Sequence, residues 1–335
     1  MKLRAFIEKD SEIVSSWISA EEELYKWSAN ILKTWPLTSD VLSSHYREGM
    51  TNKTIFPFVA LDDNGKIFGH FFLRFPYEDK NIARIGFVIL DPAVRGKGYG
   101  RKLIQLAEDH AKKEFGAKML SLGVFSNNLA AMKCYLSMGF MPDGRILDFE
   151  CPCGKWKVIE MMKDVSGKGV VYRKADKSDL KTIQSFVDNA KIVMESQGIP
   201  QWDEIYPTDF DFGGDVEKNE LYLGEVEGKP AVCFTLNSWQ DNDYLKVQWE
   251  NPGDGFKVIH RLCVNPEFQG RGLGINTCRY IEGLAWVQGA SSIKLDAFAQ
   301  NPISLAMYEK LGYKVRGYAD WRKGRFKLME KLLKF

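Results

Sequence analysis

Two stretches of the chain carry the same alternation of apolar and polar positions. Residues 84–90 (RIGFVIL) and 258–264 (VIHRLCV) are apolar-rich runs of strand length, which predicts a buried strand in each. A glycine-punctuated loop follows both. Beyond it Leu103, Ala107, His110 and Ala111 recur at helical spacing, as do Ile275, Cys278, Ile281 and Ala285. The next runs, MLSLGVF at 119–125 and IKLDAF at 293–298, alternate through Leu120, Leu122 and Val124 and through Ile293, Leu295 and Ala297. That period predicts strands with one buried face.

Each copy then turns through an asparagine. Asn128, Ala131, Tyr135, Gly139 and Phe140 match Asn301, Ser304, Tyr308, Gly312 and Tyr313 at identical spacings. Asparagine suits a helix N-cap, Pro302 the first helical position, and glycine the helix end. The openings match as well: Arg4 to Asp10 and Arg173 to Asp179 have equal separation, and each aspartate is expected to cap a first helix. Asn64-Gly65 and, more loosely, Gly228 signal hairpin turns. The order in each half is strand, helices, antiparallel hairpin, strand–glycine loop–helix, strand, helix, strand. The pattern predicts a duplicated α/β (α+β) domain, residues 1–165 and 169–335, hinged within Asp164–Val170.

Composition narrows the class. A length of 335 residues suits two domains, and 45% hydrophobic with 27% charged residues is the mixture of a globular protein. Lys+Arg 46 against Asp+Glu 44 leaves no electrostatic case for nucleic acid as the main partner. The opening MKLRAFIEKD lacks the apolar run of a signal peptide, and no stretch approaches the ~20 apolar residues of a membrane span. A cytoplasmic protein with reduced thiols is expected. Cys151-Pro152-Cys153 is the only close cysteine pair, and without partner ligands it predicts no metal site.

The loops themselves read RGKGYG at 95–100 and QGRGLG at 269–274. Glycines at a strand-to-helix junction let backbone approach a ligand, and the unpaired amides of a helix start suit phosphates. Neither loop is a Walker loop, G-x-x-x-x-G-K-[ST], and neither has the G-x-G-x-x-G of a dinucleotide fold. Both fit [QR]-x-x-G-x-[GA].

With that loop, and with the Asn, Tyr and Gly-Phe/Tyr positions downstream, the chain resembles the GNAT superfamily of acetyl-CoA-dependent N-acetyltransferases, twice over. The resemblance implies two tandem GNAT-like domains, each a mixed, mostly antiparallel sheet flanked by helices with a splayed central strand pair. It implies that Arg95, Gly96, Lys97, Gly98, Tyr99, Gly100 and Arg101, and Gln269, Gly270, Arg271, Gly272, Leu273 and Gly274, hold the pyrophosphate of CoA. Asn128 and Asn301 join that site. Val88, Ile89 and Leu90, and Leu262, Cys263 and Val264, take the place of the strand whose backbone pairs with pantetheine.

The family transfers the acyl group directly to an amine, without an acyl-enzyme. Tyr135 and Tyr308 stand where a phenol protonates the departing thiolate; taken singly, either also suits a core position. The family's strand glutamate falls at Arg84 and Val258, so both copies lack it. His260, two residues on and on the same face if no bulge intervenes, is either a base or a packed histidine. In the first copy no residue stands out as the base, and Glu21, Glu22 or Glu23 is the candidate carboxylate. Acceptor choice is expected from Trp17, Glu23 and Trp27 in one copy and Trp202, Glu204, Tyr206 and Asp296 in the other, aromatic and acidic groups that suit a cationic amine or simple packing. The expected activity is N-acetylation of a small-molecule amine by a monomer or homodimer, without nucleic acid or membrane partners. Alternatives are a protein or peptide acceptor, or one copy, the first more readily, serving as a non-catalytic CoA-binding or structural module.

Overall fold

The computed structural model describes residues 1–77 and 79–334; Glu78 and Phe335, which fall inside the two expected domains, lie outside the described residues. The chain divides into two compact units, Met1–Gly169 and Val170–Lys334.

The first unit runs β1 (Lys2–Ala5), α1 (Asp10–Ser15), α2 (Glu21–Ser28), α3 (Ser39–Thr51), β2 (Phe56–Leu61), β3 (Ile67–Arg74), β4 (Ile82–Leu90), α4 (Tyr99–Phe115), β5 (Met119–Phe125), α5 (Leu129–Ser137), β6 (Met141–Cys151) and β7 (Gly154–Asp164). The second repeats it as β8 (Val170–Lys174), α6 (Leu180–Ser196), α7 (Asp209–Glu217), β9 (Leu221–Val226), β10 (Lys229–Asn237), β11 (Phe256–Val264), α8 (Leu273–Val287), β12 (Ser292–Phe298), α9 (Pro302–Lys310), β13 (Lys314–Trp321) and β14 (Gly324–Leu332). Among the described residues each unit holds one seven-stranded sheet, ordered β1-β2-β3-β4-β5-β7-β6 and β8-β9-β10-β11-β12-β14-β13. Among the described residues only the central pairs, β4–β5 and β11–β12, run parallel.

Four expectations need correction. The last element of each unit is a hairpin rather than one strand, and Cys151-Pro152-Cys153 forms the β6–β7 turn. β5 and β12 bury residues of both parities, Ser121 and Lys294 included, because helices or hairpin residues cover both faces of a central strand. Asp10 is the first helical residue of α1 rather than its N-cap, and Asp179 stands at the N-cap position of α6 without a side-chain cap bond. Each instead accepts the N–H three residues back (Ile7 and Asp176, both 2.8 Å) and a two-pronged pair from Arg4 or Arg173. The third glycine of each loop serves packing. A Cβ on Gly100 would come to 3.2 Å from Cys134 Sγ, and one on Gly274 to 2.7 Å from Met307 Sδ.

Asn128 and Asn301 do cap α5 and α9, accepting from Ala131 N (3.2 Å) and Ser304 N (3.1 Å). Leu103, Ala107 and Ala111 are buried along α4, as Cys278, Ile281 and Ala285 are along α8. A fully buried leucine or isoleucine contributes about 1.5–3 kcal/mol, so these stripes fix both helices on their sheets. Among the described residues no helix is long and apolar enough to cross a membrane.

Candidate active site

Both glycine loops sit at the corner between a central strand and a long helix. Gly98 (φ 80°) and Gly272 (φ 74°) are the N-cap residues of α4 and α8, and Gly96 (φ 76°) and Gly270 (φ 75°) precede them. This left-handed backbone favours glycine. Nothing lies within 4 Å of a Cβ built on any of the four, so the surface over the loop is open to a ligand. The first helical N–H groups have no intrahelical partner and stand at the positive end of the dipole. Such a cradle fits a diphosphate.

The loop side chains do other work. Tyr99 packs edge-on against Phe68, and Leu273 is buried. Lys97 donates to Ala93 O (3.0 Å) and Arg271 to Glu267 O (3.2 Å), while Arg101 is exposed. Arg95 reaches Trp17 O (3.3 Å) and pairs with Glu23 (3.6 Å), and Gln269 donates to Val264 O (3.4 Å).

Beside each loop the parallel pair opens. β4 and β5 are paired only from Ile82↔Met119 to Arg84↔Ser121, and β11 and β12 only from Phe256↔Ser292 to Ile259↔Leu295. Val88–Leu90 and Leu262–Val264 lie beyond the last rung, so their backbone is unpaired on the β5 or β12 side. A bulge drives the divergence. Phe87 and Arg261, both non-glycine residues at φ 51°, interrupt the registers with β3 and β10. A bulge bends and twists its strand, and this conformation costs a side chain on the order of 1 kcal/mol or more.

Different anchors hold the two bulges. Phe87 packs against the rings of Trp27 (4.8 Å), Phe72 (4.9 Å) and His45 (5.4 Å). Arg261 is held by ions: it donates to both oxygens of Asp215 (2.9 and 2.7 Å) and to Tyr206 Oη (3.0 Å). Thr235 Oγ1 donates to the same buried carboxylate (2.6 Å).

The floors of the slots differ as well. In the second unit Asp296 is the first β12 residue past the last rung, partly buried, on the face shared by Val258 and His260. Tyr244 Oη donates to it (3.0 Å). Burial pushes the carboxyl up to about 6, against the pull of that hydrogen bond and of Arg261. In the first unit the matching residue is Gly123. The ion pair of Arg84 with Glu160 (2.5 and 2.8 Å) lies over it, with Tyr77 Oη 3.3 Å from Arg84.

Tyr135 and Tyr308 are both buried, and burial holds both phenols well above their ordinary pKa; Cys278 and Asp296 add to the rise at Tyr308. Each stays protonated and able to donate. The bulge lies one residue beyond His260, so the histidine does share the face of Val258. Its Nε2 lies 3.1 Å from Asn237 Oδ1 and 3.2 Å from Trp239 O, two acceptors that fix the proton on that nitrogen. Burial, with Arg261, lowers its pKa to about 4.

Of the expected acceptor residues, Trp27 lines the first slot with Val88, Asn128 and Tyr135. Trp17 is core, and Glu23 is taken up by Ser19 and Arg95. Tyr206 faces Arg261, Trp202 packs on the α6–β9 core and Glu204 is exposed. Asn301 Nδ2 donates to Gln201 Oε1 (2.9 Å). Sequence reasoning passed over Asp215, Arg261 and Tyr244. A signal for Asp215 was present, an acid on the apolar stripe of Phe212 and Val216; the bulge at Arg261 had none.

Comparison with known proteins returns one family. The model described as "Acetyltransferase (GNAT) family" matches residues 20–140 and again 191–313. The uncharacterized N-acetyltransferase YesJ of Bacillus subtilis (strain 168) is 23% identical over 127 residues, 37% of this chain and 70% of that protein. The UPF0039 protein C11D3.02c of Schizosaccharomyces pombe is 38% identical over 77 residues, 23% of this chain and 49% of that protein. Among solved structures, a GNAT-family acetyltransferase from Streptococcus agalactiae 2603 aligns at TM-score 0.45 and 21% identity, covering 49% of this chain and 96% of its own. A spermidine N-acetyltransferase from Vibrio cholerae, in complex with CoA and spermine, aligns at 0.43 and 21%, covering 49% and 95%. With the family's pattern matched over both halves, the chain belongs to the GNAT acetyltransferase family and carries its domain in tandem.

Proposed function

We propose that the protein transfers an acetyl group from acetyl-CoA to the nitrogen of a small-molecule amine, and that the second unit performs the transfer. One observation carries this reading. Asp296, a carboxyl with its pKa raised to about 6, stands where β11 and β12 part, near enough to Tyr308 to affect its ionisation.

The amides from Gly270 to Leu273 would hold the pyrophosphate, and the free edge of Leu262–Val264 the pantetheine arm. The thioester, when bound, supplies an acyl carbon open to attack by nitrogen. Asp296 takes one proton from the ammonium before attack; an acceptor with a pKa near the working pH suits that task. Tyr308 gives its proton to sulfur as the C–S bond breaks. The second nitrogen proton, lost as the amide forms, restores Tyr308, and Asp296 returns its proton to solvent. His260, with a pKa of about 4 and its Nε2–H committed, is a weaker base and holds the loop of Trp239 against β11.

A second reading has its own support in the first unit. Gly123 supplies no carboxyl there, and Arg84 neutralises Glu160. Among the described residues lining its slot there is no free acid for an ammonium, which favours a binding role without amine acetylation. The test is thiol release from acetyl-CoA over a panel of small amines, with Asp296→Asn and Tyr308→Phe beside the wild type. Turnover that survives both substitutions removes the mechanism. Failure of acetyl-CoA to bind either unit removes the function.

A further inference from the structure

We propose that the slot of the first unit receives a carboxylate-bearing group beyond the thioester, and so takes an anionic ligand where the second unit takes a cationic amine. This rests on the reading that the first loop, too, holds CoA.

The slot between β4 and β5 is lined by Asn128 and Tyr135 and by Lys26 and Trp27 of α2. Among its described lining residues Lys26 is the only charged one, and none is acidic. The carboxylate nearest the floor, Glu160, is held by both terminal nitrogens of Arg84 at 2.5 and 2.8 Å, with Arg145 4.0 Å away. An ammonium entering here would meet Lys26 and find no free carboxylate to replace its water, a cost the second unit avoids with Asp296.

Donors, in contrast, are in supply. The Trp27 indole N–H is buried and has no hydrogen-bond partner. Leaving such a group without a partner is unfavourable until an acceptor reaches it. Lys26 Nζ pairs with Glu22 (2.7 Å), but that acid is more than half exposed, and an i,i+4 pair open to water holds only weakly. Lys26 can therefore exchange Glu22 for a ligand oxygen. An indole N–H and an ammonium among the residues lining one slot form a receptor for a carboxylate. That carboxylate can come from the far end of an ω-carboxyacyl thioester or from an acidic acceptor.

The test uses the full chain with Gly272→Glu, which closes the second loop and leaves the first unit untouched. Calorimetric titration with CoA, acetyl-CoA and succinyl-CoA should give succinyl-CoA about three- to tenfold tighter than acetyl-CoA. Adding Lys26→Met or Trp27→Phe should bring the two thioesters to within about twofold, and Lys26→Met should leave the binding of CoA itself as before. If acetyl-CoA and succinyl-CoA bind equally, a second titration of the CoA-saturated protein separates the sources: glutamate binding more tightly than 1,4-diaminobutane places the carboxylate on the acceptor. Equal thioesters together with a preference for the diamine would overturn the inference and leave CoA binding intact. Loss of CoA binding altogether would instead remove the reading of the first loop on which it stands. A preference for succinyl-CoA that persists in both substituted proteins also overturns it, because the carboxylate would then have another receptor.

Discussion

Replacing Asp296 with Asn keeps the shape and the acceptor for Tyr244 Oη but removes the charge, and it should leave two signatures. The first is thermodynamic. The folded state raises this carboxyl from about 3.8 to about 6, chiefly through burial, so between those values the folded protein binds more protons than the unfolded chain. Stability must fall as pH rises across that window and stay lowered above it. At 1.36 kcal/mol per pH unit the full penalty is about 3 kcal/mol, and water reaching the partly buried group brings it to about 1–3 kcal/mol. Asn carries no such penalty. Urea unfolding at pH 4 and pH 8 should therefore show the variant gaining about 1–3 kcal/mol on the wild type between the two. The second signature is kinetic. Wild-type kcat/KM should rise with pH through an inflection near 6, and the variant should lose that limb with about 10²–10⁴ of its rate. His260→Gln should keep the limb. A stability difference that is the same at both pH values, with an inflection that survives in Asp296→Asn, would refute the assignment.

Tyr308→Phe should lower kcat by about two orders of magnitude with little change in acetyl-CoA affinity, whereas Tyr135→Phe should leave amine turnover as it was; steady-state kinetics and calorimetry separate the two. Gly98→Glu and Gly272→Glu each put a charged side chain on a left-handed cradle, and each should halve the number of CoA molecules bound at saturation. Asp215→Ala strands the largely buried Arg261 guanidinium and should cost about 3–5 kcal/mol in urea unfolding. If the loss is under 1 kcal/mol, the ion pair is not what holds the bulge.

The repeat, the strand–loop–helix corner and the asparagine caps could be read along the chain because each is local. Asn128 and Asn301 bond their own helices three residues on, and Gly98 and Gly272 answer a backbone need at their own positions. Backward bonding by Asp10 and Asp179 is equally local, yet the sequence suits a cap as well as it suits an acid three residues further in. Helix-to-helix contact misled the reading of the third glycine. Its neighbour, Cys134 or Met307, comes from an element more than 30 residues later.

By itself, then, the chain determined two copies of one α/β pattern, a phosphate-type cradle at the head of each long helix, and a tyrosine at a fixed distance after it. Tertiary structure decided how unlike the two sites are. Whether Glu160 is free or bound to Arg84, whether Asp296 faces water or a slot, and whether Arg261 is charged and idle or locks a bulge all depend on residues 46 to 76 positions apart, or on a neighbouring strand. Carboxylate and guanidinium strengths follow from burial and partners, and those exist only once the strands have been laid side by side.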